Sequence, residues 1–357
     1  MTLTDPTVPG MAAAPDADSR QPAPVPLVPA ALAKGLTVPK GFGDQSLLSP
    51  RPDAIRLLGG IPDPSALPLA ELRESLGEVW DADGAAAALQ YSGSHGFEGL
   101  RGWIAEREGV DPHRILITNG GMHGLSLTVQ ALVERGGLVA VDNPAYPLFL
   151  RTLELVGAGT LPVPVKADGL DVEHLARRLA EGERIAAVYT VPDFHNPSQG
   201  TLSAAKRAAL VDLAERYGFV VIADDPYREL RFAGTDQGRR VFFDSGHVVH
   251  VNTFTKTLGP GLRLGWLVLP DHLVDPFLRL RNRQDSHSST FVQTLVEHLL
   301  VSRPGSWVSS SRGGSTSPSP RAGSSSGRGS PTTRWTPASC TPARAPREST
   351  TSRASSS

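Results

Sequence analysis

The sequence predicts an α/β protein with a mainly parallel central sheet. Two patterns carry that reading. Short apolar runs, too short for helices, recur between Ile55 and Leu300. Segments with helical periodicity separate them. Strands that alternate with helices form a parallel sheet covered on both faces, and such strands read as continuous apolar runs.

Five runs read as buried strands: Ile115 to Ile117, Leu138 to Val141, Ile185 to Tyr189, Phe219 to Ala223 and Val248 to Val251. Gly121 to Glu134, Val172 to Ala180 and Ser203 to Tyr217 read as helices. Ser203 suits an N-cap, and Gly218 is placed to end its helix. Residues 1–50 are rich in Pro and Ala and read as a flexible arm. They show no winged-helix pattern, which argues against a DNA-binding regulator.

Composition narrows the function further. With 35 basic and 36 acidic residues the formal net charge is −1, so no global field favours nucleic acid or membrane. The single cysteine, Cys340, excludes an intrachain disulfide framework and fits the reducing cytoplasm. The N-terminus shows no signal-peptide pattern, and no apolar run is long enough to span a bilayer. The ten histidines show no HExxH metal motif, and no GxSxG nucleophile elbow occurs.

From Ser309 to Ser357 there is no Val, Ile, Leu, Met, Phe or Tyr, and from Arg303 onward eight arginines face one acidic residue, Glu348. Such a segment cannot bury enough apolar surface to offset its ordering entropy. Residues 301–357 therefore read as a disordered tail, and the abrupt change suits an out-of-frame translation product.

Chemistry concentrates at the predicted carboxyl ends of strands, where α/β sheets bind ligands. Lys256 follows one strand, flanked by Thr253 and Thr255, and Arg263 lies beyond the turn Gly259-Pro260-Gly261. Hydroxyls and a guanidinium suit a phosphate dianion, and the glycines let the chain turn back towards it. A lysine held away from water suits imine chemistry and proton transfer. Asp224 ends another strand, where a carboxylate can keep a pyridine nitrogen protonated. Tyr227 and Asn196 can reach a ring hydroxyl, and Pro192 and Pro197 bracket the Asn196 loop. Thr118-Asn119-Gly120-Gly121-Met122 joins a strand to a helix and can offer N–H groups to phosphate. Tyr146 follows a fourth strand, where a ring can stack on a flat ligand. One amine, one phosphate-binding cation, one carboxylate and one phenol suit pyridoxal 5'-phosphate. His95, His123 and His195 lie near these motifs in the chain and read as supporting or solvent-facing groups.

These motifs, in this order, resemble the class I/II aminotransferases of fold type I, over roughly Ile55 to Leu300. Gly59-Gly60-Ile61-Pro62-Asp63-Pro64 and Leu89-Gln90-Tyr91-Ser92 are similar to segments of the subgroup holding 2-aminoadipate/kynurenine aminotransferases and MocR-type regulators. The resemblance implies that residues 51–300 are the large cofactor-binding domain, with the family's small C-terminal domain missing or truncated. Lys256 is similar to the Schiff-base lysine, and Asp224 to the partner of the pyridine nitrogen. Asn196 and Tyr227 match ligands of the ring hydroxyl, and Tyr146 the stacking aromatic. Gly121, Met122, Thr253, Thr255 and Arg263 match the phosphate cup. Gly60 matches a backbone position beside the substrate. Tyr91 matches a tyrosine reaching the neighbouring subunit's site, which implies a homodimer.

The implied reaction is ping-pong transfer of an amino group between an amino acid and a 2-oxo acid. Decarboxylation, elimination and oxidation on the same scaffold stay open, as does a truncated, non-catalytic cofactor-binding product. The sequence departs from the family in four places. Thr253 and Thr255 replace the more usual serines, a mild change. Gly121-Met122 replaces Ser-Gln, Gln199 stands where a glycine is usual, and no arginine resembles the one that grips the substrate carboxylate.

Overall fold

The computed structural model describes residues 30–36, 60, 62–81 and 85–304. The expected tail beyond Pro304 and most of the expected arm lie outside them. Within the arm, one five-residue helix, α1 (Ala31–Gly35), is described, with no buried residue.

The remaining elements follow in chain order. Helices α2 (Leu69–Asp81) and α3 (Glu98–Glu108) precede strand β1 (Ile115–Thr118). Helix α4 (Gly121–Leu132), β2 (Leu138–Asn143), α5 (Pro147–Glu154), β3 (Gly159–Lys166) and β4 (Gly169–Leu170) come next. Then come α6 (Val172–Ala180), β5 (Ala187–Thr190), α7 (Ala204–Tyr217), β6 (Val220–Asp224) and α8 (Arg240–Asp244). The described part closes with β7 (Val248–Thr253), β8 (Gly265–Val268), α9 (Asp271–Gln284) and α10 (Thr290–Ser302).

The eight strands form one sheet in the order β1-β8-β7-β6-β5-β2-β3-β4. Its centre, from β7 through β6, β5 and β2 to β3, is parallel, as the sequence predicts. The sheet is nonetheless mixed. β8 runs antiparallel between β7 and β1, and β4 antiparallel to β3. Two reversals restore direction, so β1 points the same way as β7. Its end therefore joins the others along one edge.

Alternation of side chains divides the core. Val139, Val141, Ala187, Tyr189, Ile222, Val249 and Val251 pack with Leu125, Phe149 and Phe277 from α4, α5 and α9. Their neighbours Ala140, Val188, Val221 and Ala223 face the other way, onto Leu175, Leu179, Leu210 and Phe242 of α6, α7 and α8. Ile115, Ile117, Trp266 and Val268 build a third cluster with α3 and α10. The period of two puts successive side chains on opposite faces, so strands covered on both sides must be apolar throughout.

Ser203 caps α7 through an acceptor bond from the Lys206 N–H, and Gly218 closes the helix at φ 74°. Helix α4 ends at Leu132, two residues before Glu134, because Val133 is already extended. On the outer side of α2 and α10, Leu69, Leu76, Trp80 and Val301 stay exposed, and Trp80 meets Phe291 edge-on at 6.3 Å. No helix among the described residues is long and apolar enough to cross a membrane.

Candidate active site

The carboxyl edges of β1, β2, β5, β6 and β7 bring most of the expected residues together. Lys256 lies one short turn beyond β7. Its Nζ donates to the Gly60 carbonyl at 2.7 Å and sits 5.8 Å from the centre of the Tyr227 ring. Burial holds the ammonium below its ordinary pKa, and the Asp224 charge offsets part of that. The amine is thus easier to deprotonate than a surface lysine, which suits a nucleophile and proton carrier.

Asp224 ends β6. Burial pushes its carboxyl up to about 7, assisted by the Asp225 and Asp142 charges, while a hydrogen bond from Tyr189 and the charge of Lys256 pull it down. The Tyr189 hydroxyl donates to Asp224 Oδ2 at 2.8 Å. Tyr146 precedes α5 and packs against the same core. Its phenol is raised by burial and by Asp224 and Tyr227, so it stays neutral. The Asn196 amide donates to the Tyr227 hydroxyl at 3.2 Å. These two groups, 31 residues apart, meet as the motif reading requires.

The loop carrying Asn196 is clamped from beneath. Arg207 on α7 is fully buried and donates to the carbonyls of Pro192 and Leu202 and to Asp193. Arg231 reaches the same carboxylate at 2.5 Å. Gln199, at the glycine position of the family, adopts φ 64°. The chain takes up left-handed geometry there without the residue that favours it.

The expected phosphate cup is also assembled. Thr253 and Thr255 hydroxyls lie 2.8 Å apart, and Thr253 Oγ1 donates to the Leu264 carbonyl. Arg263, itself at φ 50°, donates to the Asn119 carbonyl at 3.0 Å. Gly120 has φ 81°, and a Cβ there would stand 2.7 Å from the Arg263 guanidinium. At Gly265 a Cβ would meet Asn252 O at 2.8 Å and the Gly120 carbonyl carbon at 2.9 Å. Close approach of β8 to the α4 N-terminus thus requires glycine. Gly121 opens α4 opposite Thr253; the Gly120 carbonyl accepts from His123 and Gly124, so the Gly121 and Met122 N–H groups precede the helix's own hydrogen bonds. The Met122 side chain packs into the core, leaving its backbone as its polar contribution.

Tyr91 stands apart. It is 92% exposed, and its ring meets His287 edge-on at 5.7 Å. Gly60 is at the site through its carbonyl, with φ 49°. His195 is not solvent-facing: it is buried, its Nε2 lies 3.2 Å from Asp142 Oδ2, and its Nδ1 is 2.7 Å from Ser198 Oγ. His123 Nδ1 accepts from the Asn119 N–H. His95 is part-buried, edge-on to His113. The sequence reading missed Asp142 and Tyr189. A polar atom at the end of an otherwise apolar buried strand needs a partner, and that is the signal both carry.

The donor set fits pyridoxal 5'-phosphate. Hydroxyls, a guanidinium and free helix N–H groups suit the phosphate, and Asp224 suits a ring N–H. Asn196 with Tyr227 suits a ring oxygen, and the Lys256 amine suits an aldehyde. Among the described residues no group of His, Cys, Asp and Glu could hold a metal ion.

A site of these parts, at the carboxyl ends of a mixed α/β sheet, defines a fold-type-I protein of the pyridoxal-phosphate class. The chain belongs to the family of class I and II aminotransferases, whose sequence profile matches residues 63–312. It is 31% identical over 255 residues to aromatic-amino-acid aminotransferase 1 of Thermococcus litoralis, covering 68% of this chain and 61% of that one. It is 32% identical over 257 residues to the 2-aminoadipate transaminase of Thermus thermophilus, covering 71% and 64%. Its fold matches the kynurenine aminotransferase of Pyrococcus horikoshii, solved with PMP, with a TM-score of 0.71 at 29% identity, covering 77% and 70%. The chain thus spans less than two thirds of the length of these two curated relatives.

Proposed function

We propose that this chain binds pyridoxal 5'-phosphate and transfers an amino group between an amino acid and a 2-oxo acid in a ping-pong sequence. The observation that carries the reading is the half-buried Lys256 amine, set beside Tyr227, the Gly60 carbonyl and the field of Asp224. When bound, the cofactor supplies an electron sink for charge released at the substrate α-carbon. Thr253, Thr255, Arg263 and the N–H groups of Gly121 and Met122 hold the phosphate. Asp224 would hold the ring nitrogen, Asn196 and Tyr227 the ring oxygen, and Tyr146 would offer its ring as a stacking surface. Lys256 holds the aldehyde end. Its Nζ, when unprotonated, could take up the substrate α-proton and give it back, which its lowered pKa assists.

Residues 51–300 form the cofactor-binding domain in this reading, with 1–50 as an arm and 301–357 as a tail. The active species is a cytoplasmic homodimer in which Tyr91 serves the neighbouring site. The 92% exposure of Tyr91 supports that role, because a partner subunit can reach it. The relatives' names make aromatic amino acids and 2-aminoadipate the first donors to test.

Adding pyridoxal phosphate to the purified chain should produce a visible absorbance band, and Lys256→Ala should abolish it. An amino acid added alone should then bleach that band, and a 2-oxo acid should restore it. A wild-type chain without the band refutes the cofactor assignment. A band indifferent to every amino acid refutes the transferase assignment.

A further inference from the structure

Tyr189 is absent from the residues carried over from the family, yet it holds the central carboxylate. It lies on β5 and pairs with Ile222 of β6, so Asp224, two residues further on, is its diagonal neighbour on the same sheet face. The phenol donates to Asp224 Oδ2 at 2.8 Å. Its ring is fully buried and stacked on Phe149, with centroids 3.7 Å apart and planes within 7°. Two aromatic rings therefore fix where the hydroxyl points, and the hydroxyl fixes one carboxylate oxygen.

We propose that Tyr189 is a positioning residue for cofactor binding: its phenol holds Oδ2 of Asp224 and leaves Oδ1 to the cofactor's ring nitrogen. The inference rests on the cofactor assignment above. Burial and the charges of Asp225 and Asp142 favour a neutral Asp224, whereas Lys256 and the Tyr189 donor favour the carboxylate. The other titratable neighbours, Tyr146 and Tyr227, are phenols held neutral, so they supply no compensating charge. His195 faces Asp142, one step removed. Tyr189 itself stays protonated, because burial and the Asp224 charge raise its pKa well above the ordinary phenol value. Its role is thus that of a fixed donor and not of a proton carrier.

Tyr189→Phe keeps the stack on Phe149 and removes only the donor. Three readings test it on the full chain. In apoprotein labelled with 13C in aspartate carboxyls, the Asp224 signal is the one missing from Asp224→Asn. Its titration midpoint should rise by about one pH unit in Tyr189→Phe. Pyridoxal phosphate should dissociate about tenfold more readily, while the Lys256-dependent band persists. On the Asp224→Asn background, Tyr189→Phe should weaken cofactor binding no further.

Should Tyr189→Phe fail to fold, replacing the five tyrosines with 3-fluorotyrosine keeps the volume and strengthens the donor, so the Asp224 midpoint should fall. An Asp224 midpoint unmoved by either change overturns the proposal, even if cofactor binding stands. A wild-type chain that binds no pyridoxal phosphate overturns the cofactor assignment and this role with it. A moved midpoint would then describe only a local hydrogen bond.

Discussion

Asp224 carries an unusual carboxyl for an acidic residue, and the consequence can be measured without any ligand. Its ordinary pKa is 3.8, and in the fold burial raises it to about 7. Between those values the native protein binds a proton that the unfolded chain does not. Stability from this group is therefore complete below about pH 4 and is lost as pH rises through about 7. Asp224→Asn has no such loss. Apoprotein of that variant should match wild type near pH 4 and melt higher at pH 8, by on the order of 4 kcal/mol. Equal melting at pH 8 would show that the carboxylate is better solvated than its burial implies. The same variant should lose cofactor affinity, so stability and binding move in opposite directions. Lys256, Asn196 and Tyr227 were legible in the sequence because their motifs sit at strand ends in a fixed order. Tyr189 was not, because inside the run Ile185 to Tyr189 it reads as one more apolar strand residue. Its hydroxyl gains meaning only from β6 beside it.

The loop between β5 and α7 is the clearest case of an element built around its ends. Arg207 ties both sides of the loop together, and Asn196 rides on top. Gln199 meanwhile occupies the left-handed region at φ 64°. That conformation costs an L-residue about 1–2 kcal/mol in the folded state; glycine avoids this cost but gives part of the gain back through its freer unfolded chain. Gln199→Gly should therefore stabilise the protein by up to about 1 kcal/mol, read as a higher denaturant midpoint. A destabilised variant would mean that the Gln199 side chain makes up for its backbone. Strands β1, β2, β5, β6 and β7 were legible to within two residues, since burial on both faces makes them continuously apolar. Strand β3 was not: Pro162 and Pro164 interrupt it, and proline argues against a strand inside a sheet. Strand β8 was missed although Leu264 to Leu269 is an apolar run; only its antiparallel direction has no local signal.

Across the whole molecule, buried charges knit the turn after β6 to distant elements. Arg228 lies 2.6 Å from Glu108 at the end of α3 and 3.6 Å from Asp225. Asp225 in turn lies 3.2 Å from His250 on β7. Burial disfavours the Arg228 charge, but Glu108, Asp225 and Glu229 outweigh it and hold the guanidinium firmly protonated. Arg228→Met would strip two buried carboxylates of their shared guanidinium, leaving Asp225 with His250 and Glu108 with Arg239 at 3.8 Å, and should cost about 3–5 kcal/mol in chemical unfolding. Asp244→Ala, which breaks an exposed pair with Arg240, should change little. Similar costs for both would show that the buried network relaxes or admits water. None of this was legible beforehand. The partners lie 120 and 25 residues apart, and a charge in a sequence reads by default as a solvated one.

The outer side of α2 and α10 has an optical consequence. Trp80 is 56% exposed there, beside Phe291, whereas Trp266 is buried. An indole that meets water emits to the red and is open to quenchers, and anything that covers it shifts the emission blue. The fluorescence difference between wild type and Trp80→Phe thus makes this face its own reporter. Titrating the chain against itself, or against any ligand, should reveal by colour whether that face becomes covered.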